Sequence, residues 1–339
     1  MRALSVVHID TSMEWRGGQQ QVLYLAEEMA RLGHQVSVAT PRGSGLSERL
    51  SPDVRQIHIG ADWSIASLRA FRSMANTEQV DVFACHTAVA HSLLVLLGLS
   101  PVVHRRVDFS VGGNAWSRWK YGKAGHYIAV SGGVRRVLES AGVSPDRIDV
   151  VFDGVPECTA DAPASDLATD KPLVGAVGAL VAHKAHHVLV SAMADLPDVD
   201  CVIVGEGPLR ADLEKQIHVL GLEERVRLLG FRKDAAAVIA ALDLFVHPSV
   251  EEGMGQVVVE AMRLRCPVLV SSAGGLPEVV GATSTPFRSG DSAALASEIQ
   301  ARLETPGDVQ GAFVRAQTVF SVEKMVANTV DVYRRLAHA

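Results

Sequence analysis

The densest run of chemistry-bearing residues is His247-Pro248-Ser249-Val250-Glu251-Glu252-Gly253-Met254-Gly255-Gln256-Val257-Val258-Val259-Glu260-Ala261-Met262. It follows an apolar strand pattern and opens a helical one. Gly253 and Gly255 let the backbone approach a ligand closely, and the free N–H groups of a first helical turn favour an anion. Glu252 falls at the helix mouth, where a carboxylate can accept hydrogen bonds from sugar hydroxyls. Glu260 falls one to two turns along, where it can hold a ribose diol. Glu252 could instead cap the helix and meet its dipole; the glycines and the spacing favour the ligand-binding role.

Other chemistry is more easily excluded. Trp15-Arg16-Gly17-Gly18-Gln19-Gln20-Gln21 and Gly205-Glu206-Gly207-Pro208-Leu209-Arg210 both depart from G-x-G-x-x-G, which disfavours a nicotinamide dinucleotide. There is no Walker loop, G-x-S-x-G elbow or H-E-x-x-H. His183, His186 and His187 surround a helix start with no carboxylate or cysteine to complete a ligand set, so no metal is expected. Asp198-Val199-Asp200 precedes its strand and reads as a loop. Lys184, taken alone, is a surface lysine as readily as a phosphate ligand.

The elements that must position these residues are short apolar runs alternating with helical patterns. Strands are expected at 4–9, 35–40, 54–59, 80–85, 102–105, 127–130 and 148–152, and again at 173–177, 201–205, 226–229, 244–247 and 268–271. Val22, Leu25, Met29 and Leu32 recur at helical spacing, with Gly33 as the stop. Such alternation implies βαβ units and parallel sheets covered on both faces. Residues 157–171, rich in Ala, Asp and Pro, break the pattern and read as a linker. The fold class is therefore α/β, with two doubly wound Rossmann-like domains facing a central cleft: 1–156, the linker, and 172–320. A closing helix lies in 321–339. Ligands of such sheets sit at the carboxyl ends of the strands.

The 339-residue length fits two domains of about 150 residues each. Four dispersed cysteines, Cys85, Cys158, Cys201 and Cys266, form no C-x-x-C pair and suit a reducing compartment. The net charge of −6 speaks against nucleic-acid binding. That charge is uneven: residues 1–160 are close to neutral and the remainder carries the acidic excess. Arg105, Arg106, Arg118, Lys120 and Lys123 fall in one stretch with Trp116, Trp119 and Tyr121. A solvated face is one reading; a landing site for an anionic acceptor or a membrane surface is the other. No signal peptide is expected, and the apolar run 92–103 is too short to span a bilayer.

Glu252 to Glu260 resembles the E-x7-E motif of the retaining, nucleotide-sugar-dependent glycosyltransferases of the GT-B fold, the large group 1 class. Gly17-Gly18, Val177-Gly178-Ala179-Leu180 with Lys184, Gly205-Glu206-Gly207-Pro208, Leu229-Gly230-Phe231 and Gly274-Gly275-Leu276-Pro277-Glu278 occur in the family's order and approximate spacing. The resemblance covers nearly the whole chain. It implies an acceptor domain followed by a donor domain, with the last helix packing back on the first.

By the same resemblance, Gly17 and Gly18 offer amides to the donor's distal phosphate or sugar, and Lys184 neutralises the departing diphosphate. Leu229, Gly230 and Phe231 bracket the base, with Gly205 in the adjoining donor-site loop. Glu260 holds the ribose. Glu252, with Gly253, Met254 and Gly255, orients the transferred sugar, and the helix start at Gln256 and Val257 meets the phosphates. Two departures stand out. Many relatives have arginine where this chain has Ala179, and many carry a histidine near the place of Val107. Asp108 is the candidate there for contacting the acceptor nucleophile or the donor sugar. His86 is a second candidate, and Arg105 and Arg106 are candidate acceptor contacts.

The expected activity is retaining transfer of a sugar from a nucleoside-diphosphate-sugar to an acceptor hydroxyl in envelope-glycan or lipopolysaccharide synthesis. No cofactor or metal is required. The expected acceptor is an anionic glycan or glycolipid, and the expected location is the cytoplasm, peripheral to the inner face of the membrane. The competing readings are a non-hydrolysing nucleotide-sugar epimerase and a non-catalytic nucleotide-sugar-binding subunit.

Overall fold

The structure, a computed structural model, describes residues 2–61, 63–77 and 79–338. Contacts divide the chain into two compact units, Met1–Gly154 with Ser321–Ala339, and Val155–Phe320. The division falls at Gly154, two residues before the expected boundary. Residues 157–171 lie in the second unit, held there by Ala164 N–H donating to the Ala237 carbonyl and by Arg232 pairing with Asp166 at 2.8 Å.

The first unit is built on a seven-stranded sheet of β1 (Ser5–Ile9), β2 (Gln35–Pro41), β3 (Arg55–Ile59), β4 (Val82–Cys85), β5 (Val102–Arg105), β6 (His126–Ala129) and β7 (Ile148–Val150). Their order is β3-β2-β1-β4-β5-β6-β7, and every pairing is parallel. Helices cover the crossovers, so inner strands such as β1 and β2 are buried on both faces, whereas the edge strand β3 is more polar and partly exposed. The first helix, Gly17–Arg31, buries Val22, Leu25, Ala26 and Met29. Leu32, expected in that stripe, is exposed because the helix has ended and Gly33 turns the chain away. The last helix, Val322–Ala337, buries Met325, Val326, Val330 and Tyr333 in the core formed by β1, β2 and the first helix.

The second unit holds β8 (Leu173–Val177), β9 (Asp200–Val204), β10 (Val226–Gly230), β11 (Leu244–His247) and β12 (Val268–Val270). The order is β10-β9-β8-β11-β12, again all parallel. In each sheet the strand order reverses once, between β1 and β4 in the first and between β8 and β11 in the second. Loops leaving the carboxyl ends at such a reversal diverge to opposite faces and leave a crevice, the usual ligand position of an open α/β sheet.

Candidate active site

The second unit's reversal point gathers the principal sequence-predicted residues. The chain leaves β8 through Gly178 and makes a short helical turn at Ala182–Lys184. Ala185 follows in the left-handed region, at φ +50°. That turn directs Lys184 toward the loop after β11, where Nζ lies 2.5 Å from Glu252 Oε2. His247, the last residue of β11, donates from Nε2 to the same oxygen at 2.8 Å, and the Ser249 hydroxyl donates to it at 3.3 Å. A carboxylate only accepts, so this bond fixes the His247 proton on Nε2. Burial opposes the charge on Glu252, but the His247 hydrogen bond and the Lys184 ammonium outweigh it and hold the carboxyl well below its usual range.

Beyond Glu252, Gly253, Met254 and Gly255 are buried. Gly255 has φ +85°, where a side chain is strained, and a Cβ there would meet Leu276 Cδ2 at 2.7 Å and force that side chain to shift. Gln256 and Val257 open the helix Gln256–Arg263, whose N-terminus has no side-chain cap. Glu260 lies on the second turn and differs from Glu252 in its partners and in the direction of its pKa shift. It makes no hydrogen bond or ion pair with another described side chain, and burial alone raises its pKa. A mostly buried carboxylate without a partner is an open acceptor for a pair of ligand hydroxyls.

Gly205 has φ +144°, and a Cβ there would sit 1.9 Å from the Gly178 carbonyl oxygen. Its role is to let the loops after β8 and β9 touch. The Gly230 carbonyl accepts from Gly205 N–H, while Leu229 is half-buried and Phe231 is 74% exposed, its ring open to a planar ligand. Asp200 sits at the amino end of β9, where Thr169 donates to it at 2.6 Å, on the opposite edge from this cluster. No group of three or more His, Cys, Asp or Glu among the described residues could hold a metal ion.

The first unit's reversal point holds a different constellation. Gly17 and Gly18 begin the first helix behind Arg16, which caps it with no side-chain hydrogen bond. Asp10, just past β1, accepts from Gln19 Nε2 at 3.0 Å and from Ser12 N–H at 2.8 Å. His86, just past β4, is held from both sides: Arg106 Nη1 lies 3.0 Å from its Nδ1, and His8 Nδ1 lies 3.0 Å from its Nε2. Arginine can only donate, so His86 Nδ1 accepts and His86 Nε2–H donates to His8. Arg106 also donates to Asp153 at 2.8 Å.

The basic aromatic stretch divides. Arg105 donates to the Tyr121 hydroxyl at 2.8 Å and to the Phe109 carbonyl, bracing the loop that carries Asp108. Lys120 and Tyr121 are buried, so they do not belong to a surface patch. Trp116 and Trp119 are exposed on the helix Ala115–Lys123, with ring centroids 5.0 Å apart, beside exposed Arg118 and Lys123. Asp108 is half-buried and Val107 exposed. Sequence reasoning missed His247 and Ser249 as partners of Glu252, although both stand in the quoted motif. It also missed His8 and Asp153, which are distant in sequence from His86 and Arg106 and join them only because β1, β4, β5 and β7 end on one edge.

Two family descriptions match the chain: glycosyl transferases group 1 over residues 159–314 and glycosyltransferase family 4 over residues 15–157. The 2-deoxystreptamine glucosyltransferase of Streptomyces kanamyceticus is 31% identical over 285 residues, covering 78% of this chain and 71% of that protein. The lipopolysaccharide core biosynthesis glycosyltransferase LpsE of Rhizobium meliloti is 36% identical over 110 residues, 32% of each chain. Among solved structures, Anabaena HepE in complex with UDP superimposes with a TM-score of 0.85 at 23% identity, covering 98% of this chain and 100% of that one. The fold is the GT-B type, and the chain belongs to the group 1 glycosyltransferases.

Proposed function

We propose that this glycosyltransferase moves a hexose from a uridine-diphosphate-sugar to a hydroxyl of an anionic envelope glycan or glycolipid, with retention of anomeric configuration and without a divalent metal. The observation that carries the donor reading is the pairing of Lys184 with Glu252 beside the unpartnered Glu260, at the reversal point of the second sheet. Lys184 meets the diphosphate, whose charge grows as it leaves. Glu260 holds the ribose, and Glu252 accepts from the sugar hydroxyls. Phe231, Leu229 and Gly230 flank the base, and the amides of Gln256 and Val257 face phosphate oxygens. The choice of uracil and hexose follows the HepE complexes with UDP and with UDP-glucose. Retention follows from the resemblance of the Glu252–Glu260 motif.

In the first unit, Arg106 is fixed by Asp153 and His86 and suits an acceptor anion; Asp108 is the candidate for the acceptor nucleophile. The exposed Trp116 and Trp119 with Arg118 and Lys123 suit an interfacial lipid surface, such as the inner face of the cytoplasmic membrane. No helix among the described residues is long and apolar enough to cross one.

A thermal-shift screen across UDP-, GDP-, ADP- and TDP-sugars tests the donor, because a ligand of the native state raises its apparent stability. The expected result is a shift with UDP-hexoses that persists in EDTA. No shift with any of the four, or loss of transfer in EDTA, contradicts the reading. Acceptor trials should set lipopolysaccharide core glycans against 2-deoxystreptamine, and turnover of the aminocyclitol alone would remove the anionic acceptor. Failure to sediment with anionic vesicles at low salt would remove the membrane contact.

A further inference from the structure

We propose that His186 is a second contact for the donor diphosphate, beside Lys184, and that it takes up a proton from solvent when the diphosphate binds. The proposal rests on the donor reading above. His186 begins the helix His186–Ala192, and its side chain is buried, with the residue only 3% exposed. Neither ring nitrogen has a hydrogen-bond partner among the described residues. A neutral imidazole carries one N–H and one lone pair, so a donor and an acceptor are both left unsatisfied in the interior, an arrangement that is costly unless something else completes it. The carbonyls of Gly178 and Ala179 face the ring but do not meet hydrogen-bond geometry.

The ring has a direction. A methyl-sized group placed on Gly178 would lie 3.6 Å from His186 Nε2 and 3.8 Å from Lys184 Cδ. Any ligand atom resting over Gly178 therefore touches both side chains at once. Gly178 stands at the carboxyl end of β8, beside the reversal point, where phosphate oxygens are expected.

The charge balance supplies the reason for the proton. Lys184 is already paired with Glu252, so the two together offer an incoming diphosphate almost no net positive charge. Ala179 contributes none. The groups facing His186 are Lys184 from the preceding turn and His247 from β11, with Glu252 bound to His247 on its far side. Burial first, then His247 and Lys184, push the free imidazole down to about 3, so it is neutral before the ligand arrives. A dianion over Gly178 reverses that balance, because an opposite charge at contact distance favours the protonated ring. The imidazolium then donates to a phosphate oxygen through a charge-assisted bond.

The test is isothermal titration of UDP, GDP, ADP and TDP in buffers of differing ionisation enthalpy, which reads the protons taken up per nucleotide bound. The expected result for the wild-type chain is net uptake that grows from about pH 8 to about pH 6. In H186Q, which keeps an N–H donor but cannot be protonated, the uptake should vanish and the affinity at about pH 6 should fall roughly ten- to a hundredfold. A second readout needs no variant: the His186 ring nitrogens should move from neutral to cationic 15N shifts on nucleotide addition. Unchanged uptake and affinity in H186Q, or a ring that stays neutral in the complex, overturns the proposal while leaving the donor reading intact. Failure of all four nucleotides to bind overturns both.

Discussion

Lys184 and Glu252, 68 residues apart in sequence, close a 2.5 Å ion pair between the loops that leave β8 and β11. Neither side chain is fully exposed, at 19% and 14%, so the pair is neither a screened surface contact nor a dry interior one. Removing one partner leaves the other charged in a poor environment. In K184M the carboxylate keeps His247 and Ser249, and in E252Q the ammonium loses its counter-charge. Each change is expected to lower transfer by about two to three orders of magnitude, the scale of losing one electrostatic contact to a developing charge. The double variant should fall by far less than the product of the two, because the residues act as a unit. Steady-state kinetics of the four proteins checks this; independent effects would contradict the coupling.

Glu260 predicts the opposite balance of stability and function. Burial raises its pKa and no described side chain compensates it. A raised carboxyl contributes stability below its unfolded pKa, and that contribution is lost as pH rises through the folded value. As pH rises, the buried Glu260 charge therefore costs the unliganded fold stability. E260Q should raise Tm more at neutral pH than near pH 4, while raising KM for the donor about tenfold or more. A lowered Tm with unchanged KM would assign Glu260 a structural role instead.

The buried histidines set the acid limb of stability. Burial, as the first cause, pushes His8, His91 and His186 each down to about 3, and lowers His86 and His104 as well. The unfolded chain binds protons at these rings below about pH 6.5 while the native chain does not. Stability present above that pH is therefore lost as pH falls below it. Asp10 and Glu260, whose pKa values are raised, oppose this trend. Urea midpoints from about pH 7 to about pH 5 should fall; a flat profile would show that the rings are not held neutral.

Gly205 and Gly18 separate packing from ligand approach. A Cβ on Gly205 would overlap the Gly178 carbonyl, whereas one on Gly18 meets nothing within 4 Å. G205A should destabilise the second unit by about 3 kcal/mol or more, through forced backbone movement and its positive φ. G18A should keep its Tm and lose activity, since an added methyl obstructs only an approaching ligand. Thermal melts alongside transfer assays distinguish the two.

The strands of both sheets were legible because buried parallel strands leave uninterrupted apolar runs, and runs such as 102–105, 173–177 and 244–247 reappear with the same limits; their order in each sheet came from the structure alone. The Glu252 block was legible because glycines, acids and a helix start fall within one loop. What escaped was long-range. Nothing near His86 signals that Arg106 and His8 will clamp it, and nothing near Arg105 shows that its guanidinium will brace Tyr121 and Phe109. Lys120 and Tyr121 looked like members of a basic aromatic face, yet tertiary packing buries them while Trp116 and Trp119, on the same short helix, remain outside.

The central claim is that the reversal point of the second sheet binds the donor. The most direct measurement is the dissociation constant of UDP for the wild-type chain, K184M and E260Q, taken by isothermal titration at one pH and salt concentration. The prediction is saturable binding to the wild-type chain, weakened about tenfold or more in each variant, with both variants still melting cooperatively. Equal affinity in all three proteins would place the donor elsewhere and contradict the claim.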